Sequence, residues 1–133
     1  MRKTLPYAAL AALLLTATPL AAHHSFAVYF DEAKTITVTG EVTEFHFRNP
    51  HGTIGLTTTE AEGQEAGEVW KAETNAPVIL RRRGWAPDSL KAGDVVTVTG
   101  WPARDGTNYM RMQQVTHADG TPIGTAAFTP QDD

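Results

Sequence analysis

Two adjacent histidines, His23 and His24, sit directly behind an apolar leader-like stretch in "LAAHHSFAVYF". If the chain is cut after Ala22, His23 becomes the amino terminus, with an α-amino pKa of about 8. That amine and the His23 imidazole can chelate one ion through a six-membered ring. One further imidazole completes a three-nitrogen, T-shaped set, which suits the tetragonal nitrogen ligation of Cu(II). A cut after Ala21 would instead put histidine third, in Ala22-His23-His24, the amino-terminal Cu(II) or Ni(II) pattern that uses backbone amides. The competing reading is a solvated terminus with two unengaged rings.

A third ring is offered by His51 in "RNPHG". Pro50 stiffens the approach, Gly52 leaves the ring's neighbourhood open, and Asn49 can hold the turn or orient the ring. The alternative is a turn histidine that caps a carbonyl. His46 shares strand parity with Glu44 and Arg48 and is expected on a solvated face. His117 ends a strand before a turn and is read the same way. Met110 and Met112 alternate about Arg111, as core packing requires, although two thioethers could also bind Cu(I). Trp70, Trp85 and Trp101 are read as core or rim. No nucleophile–base spacing, phosphate-cradling loop or metalloprotease helix occurs, so an enzyme is the less favoured reading.

The leader is defined by Arg2 and Lys3, an unbroken apolar run at 8–15, and a small-residue end at 20–22. This is the form of a secretory signal peptide, and the run is too short to anchor in a bilayer. Residues 1–22 are therefore expected to be removed, leaving a periplasmic or secreted protein with no transmembrane anchor. Loss of Arg2 and Lys3 leaves nine basic against 15 acidic side chains, a formal charge of −6. Such a surface is a poor match for nucleic acid. Without cysteine, any metal must be held by nitrogen, oxygen or methionine sulfur, and the fold must rest on one packed core.

The elements that would carry these residues follow from periodicity. After a lead-in at 23–34, "TITVTGEVTEFHF" alternates as a half-buried strand, and Phe45 and Phe47 break its parity by one position, as at a β-bulge. "TIGLTTT" and "VWKAET" read as strands two and three. In 75–83, Asn75 can cap a short helix, Pro77 suits its first turn, and Gly84 can supply a left-handed stop. The arginines at 81–83 are read as helix-end electrostatics. "VVTVTGW" and "YMRMQQVTH" give strands four and five, joined through the Asp105-Gly106 turn. Three strands, a helix and two strands within 35–124 predict an all-β domain with one short helix: an OB-fold-like five-stranded Greek-key barrel. Residues 125–133 are expected to be a flexible tail.

The segments "HHSF", "FDEAK", "TVTGEVTEFHFRNPHG", "LRRRGWAPDSLKAGDVVTVTGWPARDGTN" and "VTHADG" together resemble the DUF6152 family of small exported bacterial proteins. The resemblance covers essentially the whole mature chain. Family members commonly carry Trp or a similar aromatic shortly before "NPH", where this chain has Phe47. The resemblance implies export and a compact β-rich domain, carries over His23, His24, Asn49, Pro50 and His51, and supplies no reaction. The expectation is a periplasmic metal-binding protein, for copper, using His23, His24 and His51. The alternative is a non-catalytic OB-fold module for a protein, saccharide or envelope component, and a copper enzyme is a third, weaker reading.

Overall fold

The computed structural model describes residues 26–132. His23, His24 and the expected signal peptide lie outside the described residues. Residues 26–29 form one helical turn, here α1. Then come β1 (Ile36–His46), β2 (Thr53–Thr58), β3 (Val69–Glu73), α2 (Pro77–Arg82), β4 (Val95–Pro102) and β5 (Tyr109–His117). The strands close into a barrel in the order β1-β2-β3-β5-β4. All pairs are antiparallel except β3 with β5. With a helix between the third and fourth strands, this is the OB-fold arrangement the sequence predicts.

The pattern that builds the barrel is a simple one. Val38, Val42, Ile54, Leu56, Ala72, Val96, Val98, Met110, Met112 and Val115 are buried inside it. The "TVT" segments of β1 and β4 pair directly, Thr37 with Thr99 and Thr39 with Thr97. Their valines face inward while the threonine hydroxyls meet outside, 3.3 and 2.9 Å apart. The parity break in β1 is real and is set at Thr43, the extra residue between the Val42–Leu56 and Glu44–Gly55 pairs. It turns Phe45 toward the core.

The end of α2 follows the expected stop. Gly84, at φ 84°, lets its own N–H reach Arg81 O and that of Trp85 reach Leu80 O, both at 3.0 Å, which is a Schellman closure. Its start differs from expectation. The cap position is Ala76, with no side-chain cap. Asn75 is instead buried and donates from Nδ2 to Asp132 O.

That contact belongs to a larger difference. The segment expected as a flexible tail runs back along the barrel. Gln113 is the extra residue where the β4–β5 register shifts, and its carbonyl accepts from Phe128 N at 2.8 Å. Arg83 donates to Ala127 O and pairs with Asp132 Oδ1, both at 2.8 Å. Phe128 is buried in the main core. One of the three helix-end arginines therefore holds the chain's end in place. Among the described residues, no helix is long and apolar enough to cross a membrane.

Candidate functional site

His51 stands in the loop joining β1 to β2, after a cis Asn49–Pro50 bond. Gly52 is needed behind it for close approach: a Cβ there would strike His46 O and Thr74 Oγ1. Gly52 O accepts from Thr74 N at 2.9 Å, which ties the loop to the end of β3. The imidazole thereby meets Glu73. His51 Nδ1 lies 2.7 Å from Glu73 Oε1, and Arg111 Nη1 lies 2.6 Å from the same oxygen. Tyr109 donates its hydroxyl to Glu73 Oε2 at 2.6 Å.

The proton assignment within this quartet follows from charge. Nδ1 and Nη1 approach each other to 2.5 Å, but Nδ1 cannot both donate to the carboxylate and accept from the guanidinium. Arg111 is always protonated and Glu73 offers the negative oxygen, so both nitrogens donate to Oε1. In the neutral form of the ring, this tautomer places the lone pair on Nε2. The sequence leaves Asn49 either to hold the turn or to orient that ring. The residue that holds it is Glu73, while Asn49 is exposed.

Glu73, Tyr109 and Arg111 come together through register. β3 and β5 run parallel, with Lys71 opposite Tyr109 and Glu73 opposite Arg111, so all share the outer face of the barrel. An outer face is ordinarily wet, yet only 4 % of the Arg111 side chain is exposed. Phe26 and Phe30 of the N-terminal segment line the same cleft as Arg111. Phe26 and Phe30 lie across that face with Trp101 and Tyr109, the Phe30 and Tyr109 rings stacked at 5.8 Å. Burial pushes the Glu73 carboxyl up. The Tyr109 hydrogen bond, the Arg111 charge and His51 outweigh it and leave Glu73 below the usual carboxylate range. Burial, then the adjacent Glu73 carboxylate, raise the Tyr109 phenol far above its ordinary value of 10.0.

The phenol shift has a measurable sign. A raised folded-state pKa means the interaction is fully present below pH 10 and is lost as pH climbs toward the folded value. The Tyr109-dependent absorbance rise near 295 nm, read against Tyr109→Phe, is expected only well above pH 10 while the protein stays folded. A Tyr109-dependent transition at the ordinary phenol pH would refute the hydrogen bond to Glu73.

The quartet forms part of a cleft of about 630 Å³. Pro50 and His51 come from the β1–β2 loop, Ala103 and Asp105 from the β4–β5 loop, and Phe26, Tyr29 and Phe30 from the N-terminal segment. OB-folds use these same two loops for binding. Thr53, on the same face, has a buried Oγ1 with no hydrogen-bond partner among the described residues. The other two histidines among the described residues are elsewhere: His46 pairs with Glu44 at 3.1 Å, and His117 is exposed at the end of β5. Met110 and Met112 are core residues. Among the described residues, no three His, Asp or Glu side chains converge in a group able to hold a metal ion.

Glu73, Tyr109 and Arg111 escape a reading based on periodicity because each occupies a polar, outward strand position. The one available signal is an arginine flanked by two core methionines, with a tyrosine two residues before it. Nothing in local sequence pairs them with Glu73.

Three solved structures share the general shape. Rim1, a mitochondrial single-stranded DNA-binding protein from S. cerevisiae, is 8% identical with a TM-score of 0.47, over 64% of this chain and 93% of that one. A small single-stranded DNA-binding protein from Streptomyces coelicolor is 22% identical with a TM-score of 0.44, over 63% and 91%. TiaS, in a complex with an isoleucine tRNA and ATP, is 19% identical with a TM-score of 0.46 over 66% of this chain. This chain spans about a fifth of TiaS, 19% of its length. No curated protein matches the sequence. The family model described as "Family of unknown function (DUF6152)" matches residues 11–111, and the chain belongs to that family.

Proposed function

We propose that this protein is exported and binds one Cu(II) through the amino-terminal nitrogen and imidazole of His23, with His24 or His51 completing the site. One observation carries the reading. His51 has its Nδ1 held by Glu73, in a cleft whose wall includes Phe26, only two residues after His24. A carboxylate on one ring nitrogen fixes the tautomer and raises the basicity of the other, the usual support of a metal-binding histidine. Two peptide units separate His24 from Phe26, so their Cα atoms are at most about 7.6 Å apart. The chemistry adds that an amine beside an imidazole is a strong bidentate nitrogen donor for Cu(II). Export rests on the leader at 1–22, and cleavage after Ala22 creates the required amine.

The test is Cu(II) binding under competition with a chelator, on protein recovered from the periplasm with its intact mass determined. An N-terminal extension should weaken binding sharply, because it removes the free amine and leaves every side chain. His51→Ala should weaken it less, and Glu73→Gln by about 10–100-fold through loss of ring orientation. His117→Ala should change nothing. Equal binding by native and extended protein would overturn the reading.

A second reading is favoured by the cleft itself and the unpartnered Thr53 Oγ1. It is a non-catalytic module holding a saccharide or other envelope component against the two loops. Nucleic acid is the less suitable ligand, since the chain's net charge is −4 and the cleft carries Glu73 and Asp105 beside Arg111.

A further inference from the structure

We propose that the first residues of β1 are a docking edge for an extended, basic segment of another protein, which adds there as a strand beside Thr37. β1 pairs with β4 from Ile36 onward, whereas its pairing with β2 begins only at Gly40. Among the described residues, no strand runs beside residues 36–39 on the β2 side. Thr39 turns its main-chain groups to that side. Its carbonyl accepts from Thr59 N at 3.1 Å, and the Gln64 side chain answers both groups. Thr39 N donates to Gln64 Oε1 at 3.0 Å, and Gln64 Nε2 donates to Thr39 O at 2.7 Å. A side-chain amide thus stands where the peptide group of a further strand would stand. Residues two apart on a strand present their N–H and C=O to the same side, so Thr37 offers the next donor and acceptor along this edge.

The lane beside Thr37 is a groove of about 340 Å³ that shares no lining residue with the His51 cleft. Ile36 and Trp70 form its apolar floor, and both pack against the main core. Glu65 and Glu68 line it as well, while among the described residues no lysine or arginine does. An open edge above an apolar floor is the geometry of strand addition, in which main-chain bonds hold a peptide and side chains at alternate positions select it. The two carboxylates choose the occupant. A second copy of this chain would bring the same negative edge and be repelled, as charged edges ordinarily prevent self-pairing. A segment that alternates aliphatic residues with lysine or arginine meets both the floor and the charge.

The probe is a short synthetic peptide of alternating valine and lysine, capped at both ends and added to the folded protein. The Thr37 amide should shift in the nuclear magnetic resonance spectrum and its hydrogen exchange should slow, with the amides around His51 unchanged. A pair of main-chain bonds and a few side-chain contacts make a weak complex, so a Kd on the order of 0.1–1 mM is expected. Thr37→Pro removes the edge donor and no main-chain bond to β4, and proline is tolerated on an open edge. It should leave Tm nearly unchanged and weaken peptide binding by about five- to tenfold. The same peptide N-methylated at alternate amides keeps its charges and side chains, and should lose affinity to a similar degree. Glu65→Gln with Glu68→Gln should weaken binding by about two- to fivefold per charge at low salt.

Undiminished binding by Thr37→Pro, or of the N-methylated peptide, would overturn the strand pairing, and the methylated peptide gives that answer even if the proline variant does not fold. Shifts confined to the His51 cleft, or no shift at Thr37 with several times the expected Kd of peptide present, would overturn the site. Slower Thr37 exchange on raising the protein concentration alone would make a second copy the occupant, and would overturn the basic segment.

Discussion

Arg111→Ala is expected to destabilise the folded protein by about 3 kcal/mol, the lower end of the 3–5 kcal/mol that follows removal of one partner from a buried ion pair. The lower end applies because 22 % of the Glu73 side chain is still exposed, so water screens the charge left behind. The loss has two sources. Glu73 keeps its burial and loses its strongest counter-charge, and the guanidinium's space in the cleft that Phe26 and Phe30 also line empties. Urea unfolding followed by Trp fluorescence should show the midpoint fall with little change in slope. Arg111→Met with Glu73→Leu should recover much of the loss, since an apolar pair of similar size removes the charge and its burial together. A single-variant loss under about 0.5 kcal/mol, as for an exposed pair, would refute a buried ion pair.

Phe128→Ala should cost about as much, in the range of about 3–5 kcal/mol for truncating a buried phenylalanine. Phe128 is 2 % exposed, and its ring lies under the Arg83 guanidinium at 5.1 Å. For a domain of this size each kcal/mol moves Tm by about 4–8 °C, so a fall beyond about 10 °C is expected. Deleting residues 125–133 should do at least as much, because it also releases Arg83 and Asn75 from Asp132. An unchanged Tm after that deletion would mean that the tail is frayed, as the sequence alone suggests.

The contrast between these two residues and the rest of the barrel shows what periodicity can carry. Val38, Ile54 and Val98 announce themselves by alternation, and the Asp105-Gly106 and Gly84 signals mark ends correctly because turn chemistry is local. His51 is equally legible: a histidine after Pro50 and before Gly52 is presented by its own neighbours. Its partners are not. Glu73 and Arg111 become neighbours only when a parallel pair closes the barrel, and a polar residue on an outward strand position reads as solvated whatever later covers it. Phe128 is one aromatic in a polar run, and its burial depends on a carbonyl freed at Gln113 by a register shift in another strand.

The parallel pairing of β3 with β5 is the shortest junction in the barrel, three residue pairs against seven between β4 and β5. The quartet straddles this junction, with Glu73 on one side and Tyr109 and Arg111 on the other. The site is thus a reporter of completeness: a molecule opened along this one line keeps its remaining strand pairs and parts Tyr109 and Arg111 from Glu73, the residue that holds His51. By mass action, whatever binds across the cleft holds the line shut, and occupancy and closure rise and fall as a single equilibrium.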